Sequence, residues 1–186
     1  MLYAIVITVA AFCIAATVSL ACNVGFFYAL GLTAFGVVLS VLVDGSVAAV
    51  CRLLPKPCAD FQKKIYAVSA KEKKFYERLK IRKWKDKIPE IGHFTGFRKN
   101  KIAQPKSAEY LHRFLSEICY GELGHFFSLF FAYSILLLYP ISEVWLVVAL
   151  PVATVNALLN LLPIFVLRYN FYKLKILYES LRKKGE

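Results

Sequence analysis

The residues of this sequence that could carry out chemistry are polar side chains within long apolar stretches. Glu117, Glu122 and His125 are five and three residues apart, so on a helix they share much of one face. Ionisable residues inside a membrane span are costly, and their default interpretation is functional. A carboxylate beside a histidine can form a general-base site, because the unperturbed pKa of histidine lies near neutral pH.

Further polar residues fall in the apolar stretches on either side of this segment. Asp44 lies eight residues before Arg52, and Asn160 lies eight residues before Arg168, which is about 12 Å along a helix in each case. We expect these groups, together with Asn156, to converge with the carboxylates and the histidine in the cytoplasmic half of a helix bundle.

The same residues allow a purely structural interpretation. Glu122 could pair with Arg168, and Asp44 could bond to Asn160, so that ion pairs and hydrogen bonds hold the helices together without any reaction.

A basic and aromatic segment, Ile81–His93, lies outside the apolar stretches, and Pro89 interrupts its helical pattern. A tryptophan flanked by basic residues, as Trp84 is, sits naturally among lipid headgroups, so an anchoring loop is one interpretation. The other is a pocket for a phosphate or headgroup, because Arg82 and Lys85 can donate charge-assisted hydrogen bonds to an anionic substrate.

The apolar stretches that must position these residues are long enough to cross a membrane. Of 186 residues, 59% are apolar and only 19% are charged, and residues 1–43 contain no Asp, Glu, Lys, Arg or His. Such stretches indicate membrane spans, which excludes a soluble enzyme, a disordered chain and a secreted disulfide scaffold. We predict four spans, namely Leu2–Ala21, Gly25–Cys51, a third from about Ser116 to Tyr139, and Val144–Leu167.

The positions of the basic residues predict the topology. Of 24 Lys and Arg, eighteen lie between Arg52 and Arg113 and six between Arg168 and Lys184, in a chain of net charge +12. Because Lys and Arg are retained on the cytoplasmic side, an even number of spans must precede each basic segment. We therefore predict an all-α integral membrane protein, with four transmembrane helices as two hairpins, a basic cytoplasmic lobe at the membrane interface, and both termini in the cytoplasm. The predicted segments are 1–51 for the first hairpin, 52–115 for the lobe, 116–167 for the second hairpin and 168–186 for the tail.

The basic lobe is expected to face membrane lipid rather than nucleic acid. The nearest polyanion is the inner leaflet, and each juxtamembrane Lys or Arg gains about 1 kcal/mol from anionic lipid. Apolar residues recur at near-helical spacing among the lysines of Asp60–Lys80, which fits a helix in the interface or one that packs on the lobe itself. The five cysteines lack metal-ligand spacing and are expected to be reduced apolar fillers, with a nucleophilic Cys119 as the alternative.

Four blocks, taken in order, carry a resemblance to a known family. They are Phe75-Tyr76 followed by Ile81-Arg82-Lys83-Trp84-Lys85, then His93, then Glu117, Glu122, Leu123 and His125, and finally Asn160 with Arg168-Tyr169-Asn170. Their order and spacing resemble the small membrane acyltransferases of the glycosyl-4,4'-diaponeurosporenoate acyltransferase family, over roughly residues 75–186. Leu167 stands where the family has Gln, and Phe171-Tyr172 stands in place of Arg-Pro, departures that bear on the acceptor more than on the chemistry.

The resemblance implies an enzyme of a bacterial-type cell membrane that acts in carotenoid or related lipid metabolism. It would transfer a fatty acyl group to a hydroxyl of a glycolipid-like or glycosylated isoprenoid acceptor. On that basis we predict His125 as the base that activates the hydroxyl, with Glu122 orienting its ring and Glu117 as a supporting or acceptor-binding carboxylate. His93 is the rival base, or polarises the thioester carbonyl.

The resemblance also implies a set of substrate-binding residues and a donor. A phosphate-bearing donor such as acyl-CoA would arrive from the cytoplasm as co-substrate, and no metal or tightly bound cofactor is expected. The expected partners are membrane lipids, the acyl donor and the lipid-like acceptor, without nucleic acid. The predicted substrate-binding residues are Arg82, Lys85 and Arg168 for the donor, Trp84 beside the acyl or sugar pocket, and Asp44, Asn160, Tyr169 and Asn170. The alternative to an enzyme is a non-enzymatic membrane scaffold or lipid-binding subunit.

Overall fold

The computed structural model describes residues 2–88 and 102–185, and within them the chain is helical, without a β-strand. The α-helices are α1 Leu2–Cys22, α2 Phe26–Leu53, α3 Ala70–Arg78, α4 Ile81–Trp84, α5 Ala108–Phe131 and α6 Trp145–Gly185. Segments of 3₁₀-helix cover Lys56–Ala59, Lys64–Tyr66, Lys85–Lys87 and Ala132–Ile141.

Four of these helical stretches are long and apolar enough to cross a membrane, which confirms the predicted all-α membrane fold. They are Tyr3–Cys22, Phe26–Leu53, Ala108–Ile141 and Trp145–Lys183. The stretch Leu2–Cys22 contains neither proline nor glycine nor charge, so nothing in it interrupts a helix. Asn23 ends this helix in the left-handed conformation, with φ of 52°, and Ser19 Oγ donates to the carbonyl of Val24 at 2.7 Å across the turn.

The helix that contains the third predicted span begins before that span. Helix α5 begins at Ala108 rather than near Ser116. The hydroxyl of Ser107 accepts a hydrogen bond from the Tyr110 N–H and so caps the helix at its start. At its other end α5 continues as the 3₁₀ segment Ala132–Ile141, which is interrupted by a kink at Leu138. The carbonyl of Ile135 in this segment accepts a hydrogen bond from the buried indole of Trp145 at 2.9 Å.

The predicted helix over Asp60–Lys80 is only partly helical. An α-helix covers Ala70–Arg78, and the hydroxyl of Ser69 accepts from the N–H of Glu72 at its start. Phe61 and Tyr66 precede this helix, and each is only 2% exposed in the core of the lobe. Because these two side chains are buried in that core, the segment before Ser69 does not form one continuous helix at the membrane interface.

The contacts divide the chain into two compact units, each with a core of its own. Unit 1 consists of Met1–Val50 and Gly124–Leu161, and unit 2 of Cys51–Leu123 and Leu162–Glu186. The core of unit 1 is built mainly from small and branched residues around Trp145. The core of unit 2 is more aromatic and includes Phe61, Tyr66, Leu111, Leu115 and Phe171.

Candidate functional site

The first cluster of interest lies in unit 1 and joins His125 of α5 to polar residues of α2 and α6. The Nδ1 atom of His125 lies 2.8 Å from Oδ1 of Asn160. Nδ2 of Asn160 donates to Oδ2 of Asp44 at 3.0 Å, and Nδ2 of Asn156 donates to the other oxygen of Asp44 at 3.2 Å. The two asparagines are four residues apart on α6, so both amides face the same carboxylate. A continuous chain of hydrogen bonds therefore runs from Asp44 through Asn160 to His125.

The directions of these bonds determine which nitrogen of His125 carries the proton. An ionised carboxylate only accepts hydrogen bonds, so Asn160 must turn its amide nitrogen toward Asp44 and its oxygen toward His125. An amide oxygen also only accepts, so Nδ1 of His125 must donate. In the neutral ring, Nε2 is then left with its lone pair and can take a proton from another group.

The second cluster lies in unit 2 and is centred on Arg168 of α6. Its Nε and Nη2 atoms bond the two oxygens of Glu72, and Nη1 bonds Oε1 of Glu122. Nη1 and Nη2 also donate to the carbonyls of Ile65 and Ala67, at 3.5 and 3.3 Å. A guanidinium has five N–H groups, and all five are used by these contacts. The side chain is 15% exposed, so Arg168 is largely buried. It links two carboxylates to the chain segment that contains Ile65 and Ala67.

Glu72 has a second donor beside Arg168, since the hydroxyl of Tyr76 also bonds its carboxylate. Burial acts to raise the pKa of Glu72, but hydrogen bonds from Arg168 and Tyr76 more than offset it, so that the pKa lies below its usual value. Burial and the hydrogen bond to this carboxylate raise the pKa of Tyr76, which stays protonated as the donor. Oε2 of Glu122 is buried without a hydrogen-bond partner.

We predict that the ion-paired Glu72 makes the protein labile to acid. Since its folded-state pKa is lowered from 4.5, ionised Glu72 stabilises the folded state above that pH, and the contribution is lost as pH falls through the folded-state pKa. Thermal unfolding in detergent between pH 7 and 3.5 should show a smaller loss of stability on acidification for Glu72→Gln than for the wild type. Glu77→Gln is the matched control, because Glu77 lies on the same helix and pairs only loosely with Lys73, at 3.8 Å. Equal acid lability of the wild type and Glu72→Gln would contradict the prediction.

Other residues of the predicted site lie in unit 2 and are not members of either cluster. Glu117 pairs with Arg52 at 3.1 Å, with side chains 27% and 50% exposed. The indole of Trp84 donates to the carbonyl of Leu79 at 2.9 Å, which fixes the ring at the end of α4. Arg82 is exposed on the same short helix.

Lys85, Tyr169 and Asn170 also lie in unit 2. Lys85 is partly buried at the start of a 3₁₀-helix. The hydroxyl of the buried Tyr169 accepts a hydrogen bond from Lys173 at 2.9 Å, and Asn170 is partly exposed on α6. His93 lies outside the described residues.

The described contacts of the predicted site residues fall into groups that are each made within one unit. Both contacts of the structural interpretation, Glu122 with Arg168 and Asp44 with Asn160, are present. The ring of His125 is hydrogen-bonded to the side-chain oxygen of Asn160 and not to Glu122, which bonds Arg168. The convergence of all these residues on one pocket stays a prediction.

Sequence reasoning missed Glu72 as a partner of Arg168, and Tyr76 as the second donor to Glu72. Glu72 stands in a lysine-rich segment, where an acidic residue is normally a solvated charge. The signal that could have singled it out is the pattern Ser69-x-x-Glu72, which marks a helix start, with Tyr76 one turn further along the same face.

Comparison with known proteins gives a family match. A family model described as Glycosyl-4,4'-diaponeurosporenoate acyltransferase matches residues 59–180, more than half of the chain. The matched range contains every predicted site residue except Asp44. No curated protein and no solved structure gives a significant match.

Proposed function

Because the chain belongs to the glycosyl-4,4'-diaponeurosporenoate acyltransferase family, we propose that it transfers a fatty acyl group to a hydroxyl of a glycosylated isoprenoid or similar glycolipid. The protein is an acyltransferase and an integral membrane protein. The glycosyl diaponeurosporenoate named by the family is the first candidate acceptor. A cytoplasmic thioester such as acyl-CoA is the proposed donor.

The observation that carries the proposal is the chain of hydrogen bonds from Asp44 through Asn160 to His125. A sugar hydroxyl is a poor nucleophile until a base removes its proton. Nε2 of His125 is the available base in this arrangement, since Nδ1 is held by Asn160. As the ring becomes positive, the negative charge of Asp44, relayed by the polarised amide of Asn160, stabilises it.

The proposed reaction proceeds through addition and elimination at the acyl carbon. Nε2 of His125 takes the hydroxyl proton while the hydroxyl oxygen attacks the thioester carbonyl, forming the new C–O bond. The carbon–sulfur bond then breaks, and the departing thiolate takes the proton back from Nε2. This sequence returns the enzyme to its starting state and consumes only donor and acceptor, so it requires neither a metal nor a tightly bound cofactor.

The roles of the basic residues follow from their contacts. Arg168 uses all five N–H groups within the protein, so we assign it to holding Glu72 and Glu122 rather than to the donor. We assign the phosphates of the donor to Arg82 and Lys85, which follow α3 in a basic segment. That segment and the basic tail support cytoplasmic termini, because Lys and Arg are retained on that side of the membrane.

The remaining roles are proposals of the same kind. We place Trp84 at the edge of the acyl or sugar pocket and Glu117, Tyr169 and Asn170 toward the acceptor. His93 is the rival base. The proposed partners are membrane lipids, the donor and the lipid-like acceptor, without nucleic acid.

The test of the proposal is mass spectrometry of the lipid product. Purified protein in detergent or bilayer, given a glycosylated isoprenoid and acyl-CoA of several chain lengths, should form products heavier than the acceptor by one acyl group. The product masses should follow the donor chain length. Acylation of bulk phospholipid or glycolipid in preference to the glycoside would overturn the acceptor assignment. Product formed from an acyl phospholipid but not from acyl-CoA would overturn the donor assignment.

A further inference from the structure

Helix α3 has one buried face, which packs against α6. On this face Tyr76 is 4% exposed, and Glu72 bonds the guanidinium of Arg168. The ring centres of Phe75 and Tyr76 lie 6.0 and 5.9 Å from the ring centre of Phe165 on α6. All these contacts are made within unit 2, and they hold α3 against one particular stretch of α6.

This stretch of α6 is the edge of the fourth predicted span. Phe165 belongs to the uncharged run Val144–Leu167, and Arg168 is the first charged residue after that run. An uncharged run of this length lies in the hydrocarbon of a bilayer, and an arginine at its end lies near the headgroups. Because the ring of Phe75 packs edge-on against Phe165, α3 lies at the depth where the hydrocarbon ends.

Large apolar side chains of the lobe are exposed next to this contact. Between the second and third spans, the described residues of this kind are Ile65, Phe75 and Leu79, which are 68%, 48% and 38% exposed. Ile65 lies beside α3, because its carbonyl and the carboxylate of Glu72 bond the same guanidinium of Arg168. Exposed apolar groups that lie close together indicate a surface that another molecule covers.

Basic residues of α3 border its exposed apolar residues. Consecutive residues of an α-helix are about 100° apart around the axis, so Leu79 lies about 40° to one side of Phe75 and Lys71 about 40° to the other. By the same count Arg78 is about 60° from Phe75, whereas the acidic Glu77 is about 160° away. Lys71 and Arg78 are both exposed. An apolar edge bordered by basic residues, with the acid on the far side, is typical of a helix that binds an anionic membrane surface.

We propose that α3 docks on the anionic lipids of the inner leaflet, with Phe75 and Leu79 in contact with acyl chains and Lys71 and Arg78 bound to the headgroups. The inference rests on the lipid partners and the cytoplasmic lobe of the proposed function, and it names the lipid class and the surface that binds it. Charge selects this occupant, because anionic headgroups are the polyanion nearest to a basic surface at this depth. Docking does not require acyl transfer.

Quenching of tryptophan fluorescence by brominated lipid tests the docking in the full chain, reconstituted in phosphatidylcholine. Phe75→Trp supplies the probe, the signal of Trp84 and Trp145 is subtracted with the wild type, and a fifth of the lipid is brominated phosphatidylglycerol or brominated phosphatidylcholine. Both should quench the probe, and phosphatidylglycerol at least about twofold more strongly. Ile176→Trp is the matched control, because Ile176 is also exposed, at 52%, but lies about 16 Å beyond Phe165 along α6. Neither lipid should quench it.

The contribution of the charges is tested in the Phe75→Trp protein. Lys71→Gln together with Arg78→Gln should make the two brominated lipids equal quenchers. Salt at about 0.5 M should weaken the preference for phosphatidylglycerol, because it screens exposed charges. Lys106→Gln together with Lys183→Gln removes the same net charge from exposed positions outside α3 and should keep the preference.

Hydrogen exchange gives a second measurement, which needs no substitution. In the wild type, the amides of Ala70–Arg78 should exchange at least about fivefold more slowly in bilayers that contain phosphatidylglycerol than in phosphatidylcholine alone, the factor expected for one basic residue near anionic lipid.

The outcomes separate this inference from the proposed function. An unquenched probe at position 75, with equal exchange in both bilayers, would place α3 in solvent and overturn the docking. Equal quenching of Phe75→Trp by the two lipids would overturn the anionic lipid as the occupant. Since these measurements record contact with lipid, a protein that shows the expected quenching but forms no acylated product would contradict the proposed function alone.

Discussion

Replacing His125 by alanine is expected to lower kcat for acyl transfer by at least about 100-fold while the protein still folds and inserts into the membrane. The expected size follows from the contribution of a general base, which is typically 10²–10⁴-fold. The ring is held by one hydrogen bond, from Nδ1 to Asn160, and the other nitrogen has the lone pair that the reaction needs. The measurement is the steady-state rate of product formation by purified protein, with thermal unfolding as the check on folding.

His112→Ala is the matched control for this prediction. His112 lies on the same helix, is exposed, and packs edge-on against Phe61 with ring centres 5.0 Å apart. Its loss should leave kcat within about twofold. Full activity of His125→Ala, together with loss of activity in His93→Ala, would move the base to His93. Full activity of both variants would contradict the base mechanism.

The partner of His125 can be tested in the same assay. In Asp44→Asn, the side chain at position 44 can donate as well as accept hydrogen bonds. The amide of Asn160 is then no longer held in one orientation. We expect kcat to fall at least about tenfold, because the proton on the His125 ring is then free to shift to Nε2. If Glu122→Gln lowered kcat and Asp44→Asn did not, the orienting role would belong to Glu122.

Replacing Arg168 by methionine is expected to lower the free energy of unfolding by about 3–5 kcal/mol, the range for removing one partner of a buried ion pair. The variant leaves two carboxylates without their cation, since Glu72 and Glu122 are 24% and 13% exposed. It also removes the donors for the carbonyls of Ile65 and Ala67. Denaturant unfolding in detergent is the appropriate measurement.

The matched control is Arg52→Met, which breaks an Arg–Glu pair in a more exposed setting. Arg52 is 50% exposed and bonds Glu117 at 3.1 Å, so we expect a loss of no more than about 1 kcal/mol. Adding Glu72→Gln and Glu122→Gln to Arg168→Met should recover part of the lost stability, because the uncompensated charges are removed. An Arg168→Met protein of wild-type stability with a raised KM for acyl-CoA would instead assign Arg168 to the donor.

The membrane fold could be predicted because its signal is composition over a long stretch. Uncharged residues 1–43 and Val144–Leu167 leave few alternatives to helical spans. The start of α5 could not be predicted in this way. Glu109, His112 and Arg113 lower the hydropathy of its first turns, although Leu111 and Leu115 are fully buried in unit 2.

The members of the candidate site could be predicted, and so could two of its pairs, Glu122 with Arg168 and Asp44 with Asn160, but the partner of His125 could not. Polar residues are rare in apolar spans, so Asp44, His125 and Asn160 could be identified from the sequence alone. Their partners depend on how helices distant in sequence rotate against each other, and spacing along one helix carries no such information. For this reason the three-residue spacing of Glu122 and His125 suggested a pair, whereas the ring of His125 bonds a residue 35 positions away.

The 3₁₀ segment Ala132–Ile141 is not one regular helix, because the backbone of Leu138 leaves helical geometry and Pro140 lies just beyond it. Up to that kink the chain rises about 2.0 Å per residue, compared with about 1.5 Å in an α-helix, so its first six residues add only about 3 Å to the reach of the helix. The proline has no N–H to donate, so the hydrogen bonding of a continuous helix cannot be restored there. The bend near the end of the third span is therefore encoded in the sequence, and a bilayer of different thickness would be accommodated by tilt of the span.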